Sequence, residues 1–240
     1  MTRSLISMLA FLLMTSLAAA ETLRLKASDG VEVTAEFNKP DGAFSTILVL
    51  YHMAGASRGE YKDIAKALNQ MGYATLAVDQ RSGGQFNGVR NETAAKVGGR
   101  PGYTEAIPDI VVAAQWARKN SGARKVGVLG SSYSAGLVLV LAGQDSKFAD
   151  AVMSFSPGEY YGGRNYVGKE LGKIKVPVFL TAARGEAGQW KPFEQKIKSP
   201  VTGFVPKGGG RHGASSLVSG DRDEYWSALR AFLQTHLPAK

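Results

Sequence analysis

The sequence predicts an α/β fold: a doubly wound, mostly parallel sheet that opens with an N-terminal antiparallel hairpin and carries little or no lid. Three observations lead there. Strand-like and helix-like periodicities alternate along the chain, which calls for crossover connections and a parallel sheet with helices on both faces. Several strand-length segments, such as Thr46-Ile47-Leu48-Val49-Leu50-Tyr51, are apolar throughout, as strands covered on both faces must be. Around Asp29-Gly30, by contrast, residues 23–27 and 31–37 alternate apolar with polar, the pattern of two strands joined by a tight turn.

The remaining elements follow in order. After strand 46–51, Tyr61, Ile64, Ala65 and Leu68 recur at helical spacing from Glu60 and stop at Gly72. Strand 73–78, helix 107–116, strand 125–129 and helix 133–141 come next, then strands 151–155 and 176–180, a short helix 190–197, strand 201–205 and a last helix 225–237. Two connections are long. Residues 80–103 are rich in Gly and charge, and a connection of that length in a compact domain is a functional or mobile one. Residues 156–175 carry Tyr160, Tyr161 and Tyr166 but are too few for a large lid. No repeat or shift of composition marks a second domain, so residues 21–240 are expected to form one.

Composition narrows the chemistry. Hydrophobic residues make up 44% of the 240, too many for a disordered chain. The sequence has no Cys, which excludes a disulfide framework, a thiolate metal site, a thiol nucleophile and a lipid-anchored N-terminus. Arg3, the apolar run 5–17 and Ala18-Ala19-Ala20 have the form of a secretory leader spanning residues 1–20, so the mature chain is expected in the periplasm or outside the cell. The apolar run is shorter than the roughly 20 residues that span a bilayer, and no stable membrane insertion is expected once the leader is gone. Removing 20 of the 240 residues leaves 220 and, with Arg3 lost, lowers the formal charge from +9 to +8. The Lys and Arg residues are dispersed rather than gathered into a stripe, which argues against nucleic acid as a partner.

The most informative stretch is Val126-Gly127-Val128-Leu129-Gly130-Ser131-Ser132-Tyr133-Ser134-Ala135-Gly136. It sets Gly-x-Ser-x-small between a strand and a helix, and so resembles the nucleophile elbow of the α/β-hydrolases, with Ser132 as nucleophile and Ser134 in the place of the second Gly. A phosphate-binding loop is excluded, because Leu137 and Val138 stand where Lys and Ser or Thr would be needed. A serine hydroxyl needs a base to take its proton. Of the three histidines, only His212, in Gly208-Gly209-Gly210-Arg211-His212-Gly213, follows the last strand as the resemblance requires. His236 reads as a cation at a helix C-terminus. The orienting acid is expected at Glu186, behind strand 176–180, with Glu159 as the alternative. For a developing oxyanion the donors are the backbone N–H of Tyr133 and that of Met53 or Ala54, in His52-Met53-Ala54-Gly55-Ala56-Ser57. This loop is similar to the His-Gly-x-Gly loop of the superfamily, with Met53 for the first Gly.

Val78-Asp79-Gln80-Arg81-Ser82-Gly83-Gly84 likewise resembles the Asp-x-Arg-Gly-x-Gly segment of many α/β-hydrolases. The layout is closest to the dienelactone-hydrolase-like and small carboxylesterase branches, although dienelactone hydrolases use Cys where this chain has Ser132. The resemblance implies a serine hydrolase acting on a small-molecule ester, with no cofactor and no metal. A peptidase or amidase on the same fold is the first alternative, and a non-catalytic ligand-binding protein the second. His52, Tyr161, Tyr166 and Trp190 are candidates for lining the substrate. Arg81, Arg90, Arg164 and Arg184 leave an anionic substrate open, solvated surface being the plainer reading of each. Neither oligomeric state nor substrate identity is written in these motifs.

Overall fold

A computed structural model describes residues 20–163 and 165–240. The expected leader lies outside these residues except for Ala20, and Arg164 also lies outside them. The antiparallel pair β1 (Glu21–Lys26) and β2 (Glu32–Asn38) comes first, turned at Gly30, whose φ of 88° suits a residue without Cβ. In chain order follow β3 (Thr46–Tyr51), α1 (Lys62–Gln70), β4 (Ala74–Val78), the two-residue strands β5 (Gln85–Phe86) and β6 (Val89–Arg90), α2 (Glu92–Val97) and α3 (Ile107–Asn120). The second half holds β7 (Lys125–Ser131), α4 (Tyr133–Gln144), β8 (Ala151–Phe155), β9 (Val178–Thr181), α5 (Ala187–Glu194), β10 (Val201–Phe204) and α6 (Arg222–His236).

Eight strands make one sheet in the order β1-β2-β4-β3-β7-β8-β9-β10. The pairs β1/β2 and β2/β4 are antiparallel, and every pair beyond them is parallel. Strand periodicity divides the core. Along β3, Ile47, Val49 and Tyr51 enter the layer that includes residues of α3, α4 and α5, while Leu48 and Leu50 enter the layer with α1 and α6. Both sides of β3 are thus buried, which accounts for its unbroken apolar run. Helix α4 is buried at every position from Tyr133 to Ala142, so it lacks the polar face of a surface helix.

Two local expectations are corrected. The connection 80–103 is an ordered insertion: β5 pairs with β6, and Asn91 caps α2 by accepting from the Ala94 N–H at 2.7 Å. These elements were too short to leave a periodic signal. Helix α5 starts at Ala187 rather than near Trp190, because the 3-10 turn Arg184–Glu186 runs directly into it. Pro192 sits inside α5, while Ala187, Trp190 and Phe193 share its buried face. Among the described residues no helix is long and apolar enough to cross a membrane.

Candidate active site

The carboxyl ends of β3, β7, β8, β9 and β10 converge, which is where open α/β sheets hold their ligands. At the end of β7 the chain turns into α4 through Ser132, whose φ of 59° and ψ of −120° are rarely populated by a residue with a Cβ. Such a conformation costs about 1–3 kcal/mol and persists only where its surroundings hold it. Here the Ser132 N–H donates to the Phe155 carbonyl at 2.8 Å, and the Ala135 N–H donates to the Ser132 carbonyl at 2.9 Å. Gly130 is required two residues earlier, since a Cβ there would lie 2.6 Å from the Ser134 carbonyl carbon.

His212 comes from the loop after β10, with its Nε2 2.8 Å from Ser132 Oγ and its Nδ1 2.6 Å from Glu186 Oε1. An acceptor at Nδ1 places the ring proton there and leaves Nε2 free to accept from the serine hydroxyl. Glu186 is itself held, because Ser156 donates to its Oε2 at 2.6 Å and in turn accepts from the Gly213 N–H at 2.8 Å. The Gly-rich loop that carries His212 is tied down by Arg184, whose guanidinium donates to the carbonyls of Pro206, Lys207 and Gly208 at 2.5, 2.7 and 3.0 Å. A hydroxyl, an imidazole and a carboxylate in this order can pass the serine proton to the ring and stabilise the cation that results.

A family model described as "Serine aminopeptidase, S33" matches residues 42–183, more than half of the chain. The chain belongs to the S33 serine aminopeptidase family. The matched span of this S33 chain carries the His52 loop and the Ser132 elbow, and ends before Glu186 and His212. Among solved structures it is similar to a dienelactone hydrolase from Anabaena variabilis, at 20% identity and a TM-score of 0.69 over 91% of this chain and 99% of that one. The Pyrococcus furiosus esterase Pf2001 is similar at 19% identity and a TM-score of 0.72, over 91% and 93% of the two chains. XC6422 from Xanthomonas campestris, described as an α/β serine hydrolase without a lid, aligns at 15% identity and a TM-score of 0.66 over 93% and 97%. A search of curated proteins gives no match. At these identities the structures establish the α/β-hydrolase fold and nothing finer.

The geometry of the S33 chain corrects several expectations. Glu159 is not the partner of His212: its carboxylate accepts from the backbone N–H groups of Val167 and Gly168, both at 2.9 Å, and anchors its own loop. Met53 has its N–H committed to Glu60 Oε2 at 2.7 Å, so it is not a free oxyanion donor. The Ala54 N–H has no acceptor among the described residues. Nor has the N–H of Tyr133 an intrahelical partner, as the first residue of α4. His52 is fully buried and lines no surface. Its Nδ1 donates to the Met53 carbonyl at 2.7 Å and its Nε2 accepts from the Gln80 N–H at 3.0 Å, while burial lowers its pKa and keeps the ring neutral. Trp190, 1% exposed, belongs to the core under α5.

Tyr161 does reach the site, donating to the Tyr133 carbonyl, and Tyr166 packs against it with ring centroids 4.9 Å apart. Together with Tyr103 and Tyr160, Tyr161 lines a shallow aromatic recess. On the other side of Tyr103 a cleft of about 590 Å³ begins at Ala54 and Gly55. Arg81, Arg90 and Arg100 line it, and no carboxylate does. Arg81 is spent on buried Asp109 and on Asp29. Arg90 and Arg100 have no acidic partner among the described residues. Sequence reasoning missed Arg100, Ser156 and Glu60, because nothing local distinguishes them from surface or helix-start residues. Among the described residues no group of three His, Asp or Glu could hold a metal ion.

Proposed function

We propose that the protein is a serine hydrolase that cleaves a small-molecule ester through an acyl-enzyme on Ser132. The observation that carries this reading is the continuous relay from Ser132 Oγ to His212 Nε2 at 2.8 Å and from His212 Nδ1 to Glu186 at 2.6 Å. Ser132 Oγ attacks the ester carbonyl carbon while its proton passes to His212. The oxyanion that forms lies between the N–H groups of Tyr133 and Ala54, each such donor being worth on the order of 100- to 1000-fold in rate. As the C–O bond breaks, His212 returns the proton to the alcohol oxygen. Water then adds to the acyl-enzyme carbonyl, again losing its proton to His212, and Ser132 is released with the acid.

The cleft lined by Arg90 and Arg100 favours esters that carry a carboxylate beyond the reacting carbonyl. The family's description keeps an aminopeptidase or amidase reading in view. Matched ester and amide substrates with the same acyl group separate the two, and ester turnover is expected to exceed amide turnover. A fluorophosphonate probe should label wild-type protein at Ser132 and leave Ser132→Ala unlabelled. Normal ester turnover by Ser132→Ala would overturn the reading. We also propose that residues 1–20 are removed on export, so N-terminal sequencing of periplasmic or secreted protein should begin at Glu21.

A further inference from the structure

We propose that Glu60 is a positioning residue that clamps together the three segments bearing the nucleophile, an oxyanion donor and the base. The proposal rests on the esterase reading above. Glu60 lies in the turn ahead of α1, is 2% exposed and forms no ion pair among the described residues, although an unpaired buried carboxylate is costly to retain. Its two oxygens go to two different places. Oε1 accepts from the Ser131 hydroxyl at 2.7 Å, and Oε2 accepts from the Met53 N–H at 2.7 Å. Ser131 Oγ accepts in turn from the Ala214 N–H at 2.9 Å. Ser131 precedes the nucleophile, Met53 precedes the free donor Ala54, and Ala214 lies two residues beyond His212. Holding the Met53 N–H turns the following peptide so that the Ala54 N–H stays uncommitted. The Ser131 bond holds the strained elbow, and through Ala214 the same hydroxyl fixes the loop behind the imidazole.

The clamp depends on charge, because an ionised carboxylate only accepts whereas a protonated one must donate from one oxygen. Burial raises Glu60 to about 7. The titratable groups facing it are His212 across the 213–217 turn and the phenols Tyr61 and Tyr133, whose pKa values burial raises, so they stay neutral. Ionised Glu60 holds both bonds of the clamp and its protonation disturbs them, so the acid limb of activity carries the titration of Glu60 itself.

The test is Glu60→Gln, compared with wild type for kcat, KM and the pH profile of kcat/KM on a neutral nitrophenyl ester. A Gln oxygen can still accept from Met53, but the clamp loses its charge and its bond from Ser131. The expected result is a fall of about tenfold or more in kcat with KM nearly unchanged, together with a shift of the acid limb to lower pH. An unchanged pH profile with kcat within twofold of wild type would overturn the proposal. Ser131→Ala breaks the clamp without touching Glu60 and should also lower kcat at constant KM. If Glu60→Gln does not fold, unchanged kcat in Ser131→Ala overturns the proposal by itself. Fluorophosphonate labelling of wild type is run alongside. Wild-type labelling with an undisturbed Glu60→Gln defeats only the clamp, whereas failure of wild type to label defeats the esterase reading beneath it.

Discussion

Ser134 stands where the strict elbow pattern has Gly, and its environment explains the exchange. Its hydroxyl donates to the His52 carbonyl at 2.6 Å and accepts from the Gln80 side-chain amide at 2.6 Å, so a side chain here joins the elbow to the loop after β3. At the same scale the choice of acid becomes decisive. Glu186→Gln should lower kcat about 10⁴-fold, the order lost when a triad acid is made an amide and the imidazole tautomer is no longer held. Steady-state kinetics check this. Glu159→Gln, which loses only loop contacts to Val167 and Gly168, should leave kcat unaltered and lower stability by about 1 kcal/mol in urea unfolding.

Among the elements, the insertion between β4 and α3 matters most. Asp79 accepts from the backbone N–H groups of Arg58 and Glu92 at 2.7 and 2.9 Å, and Arg81 joins Asp109 to Asp29. The Asp-x-Arg stretch is therefore structural: Asp79 ties the start of α2 to Arg58 ahead of α1, and Arg81 ties α3 to the turn between β1 and β2. Gly83 lies at the closest approach: a Cβ there would sit 2.5 Å from the Ala56 carbonyl oxygen and 2.9 Å from the His52 ring, and would collide with Asn91. Gly83→Ala should cost about 1–3 kcal/mol by overpacking, which lowers Tm by about 2–4 °C for each kcal/mol in a chain of this size. Differential scanning calorimetry measures the loss, and ester turnover should fall with it because the Ala54 loop is displaced.

Over the whole molecule, charge and pH are the quantities to follow. Glu60 rises from 4.5 in an exposed carboxyl to about 7 in the folded chain because burial disfavours its ionised form. Between those values the folded state binds more protons than the unfolded one, so this group's contribution to stability is lost as pH rises, by about 1.4 kcal/mol for each unit. Tm of wild type should therefore fall relative to Glu60→Gln from pH 5 to pH 8, and a constant difference would contradict the buried carboxylate's role. The formal charge of +9 acquires a local meaning as well. Arg24, Arg58 and Arg81 are paired with acids, whereas Arg90 and Arg100 face a cleft without any. Replacing both by Gln should reduce kcat/KM for a nitrophenyl hemisuccinate about tenfold more than for the butyrate. The difference should shrink in 0.5 M salt, because exposed charges are screened within a few ångströms there.

Much of this was legible in the chain alone. Strand and helix order followed from hydrophobic period, because burial on one or both faces of each element leaves a pattern of fixed spacing. The Ser132 elbow, the position of Glu186 and the Gly-rich loop of His212 could be read as motifs at strand ends, since each needs particular residues within a few positions. What tertiary structure alone decided involves partners far apart in sequence. That the imidazole of His212 meets Glu186 while Glu159 bonds its own loop depends on where two loops fall in space. The release of the Ala54 N–H, with Met53 held by Glu60, is a contact between a loop and a turn. The burial of His52 and Trp190, and the gathering of Arg90 and Arg100 on one cleft wall, come from packing whole elements together, which no local periodicity encodes.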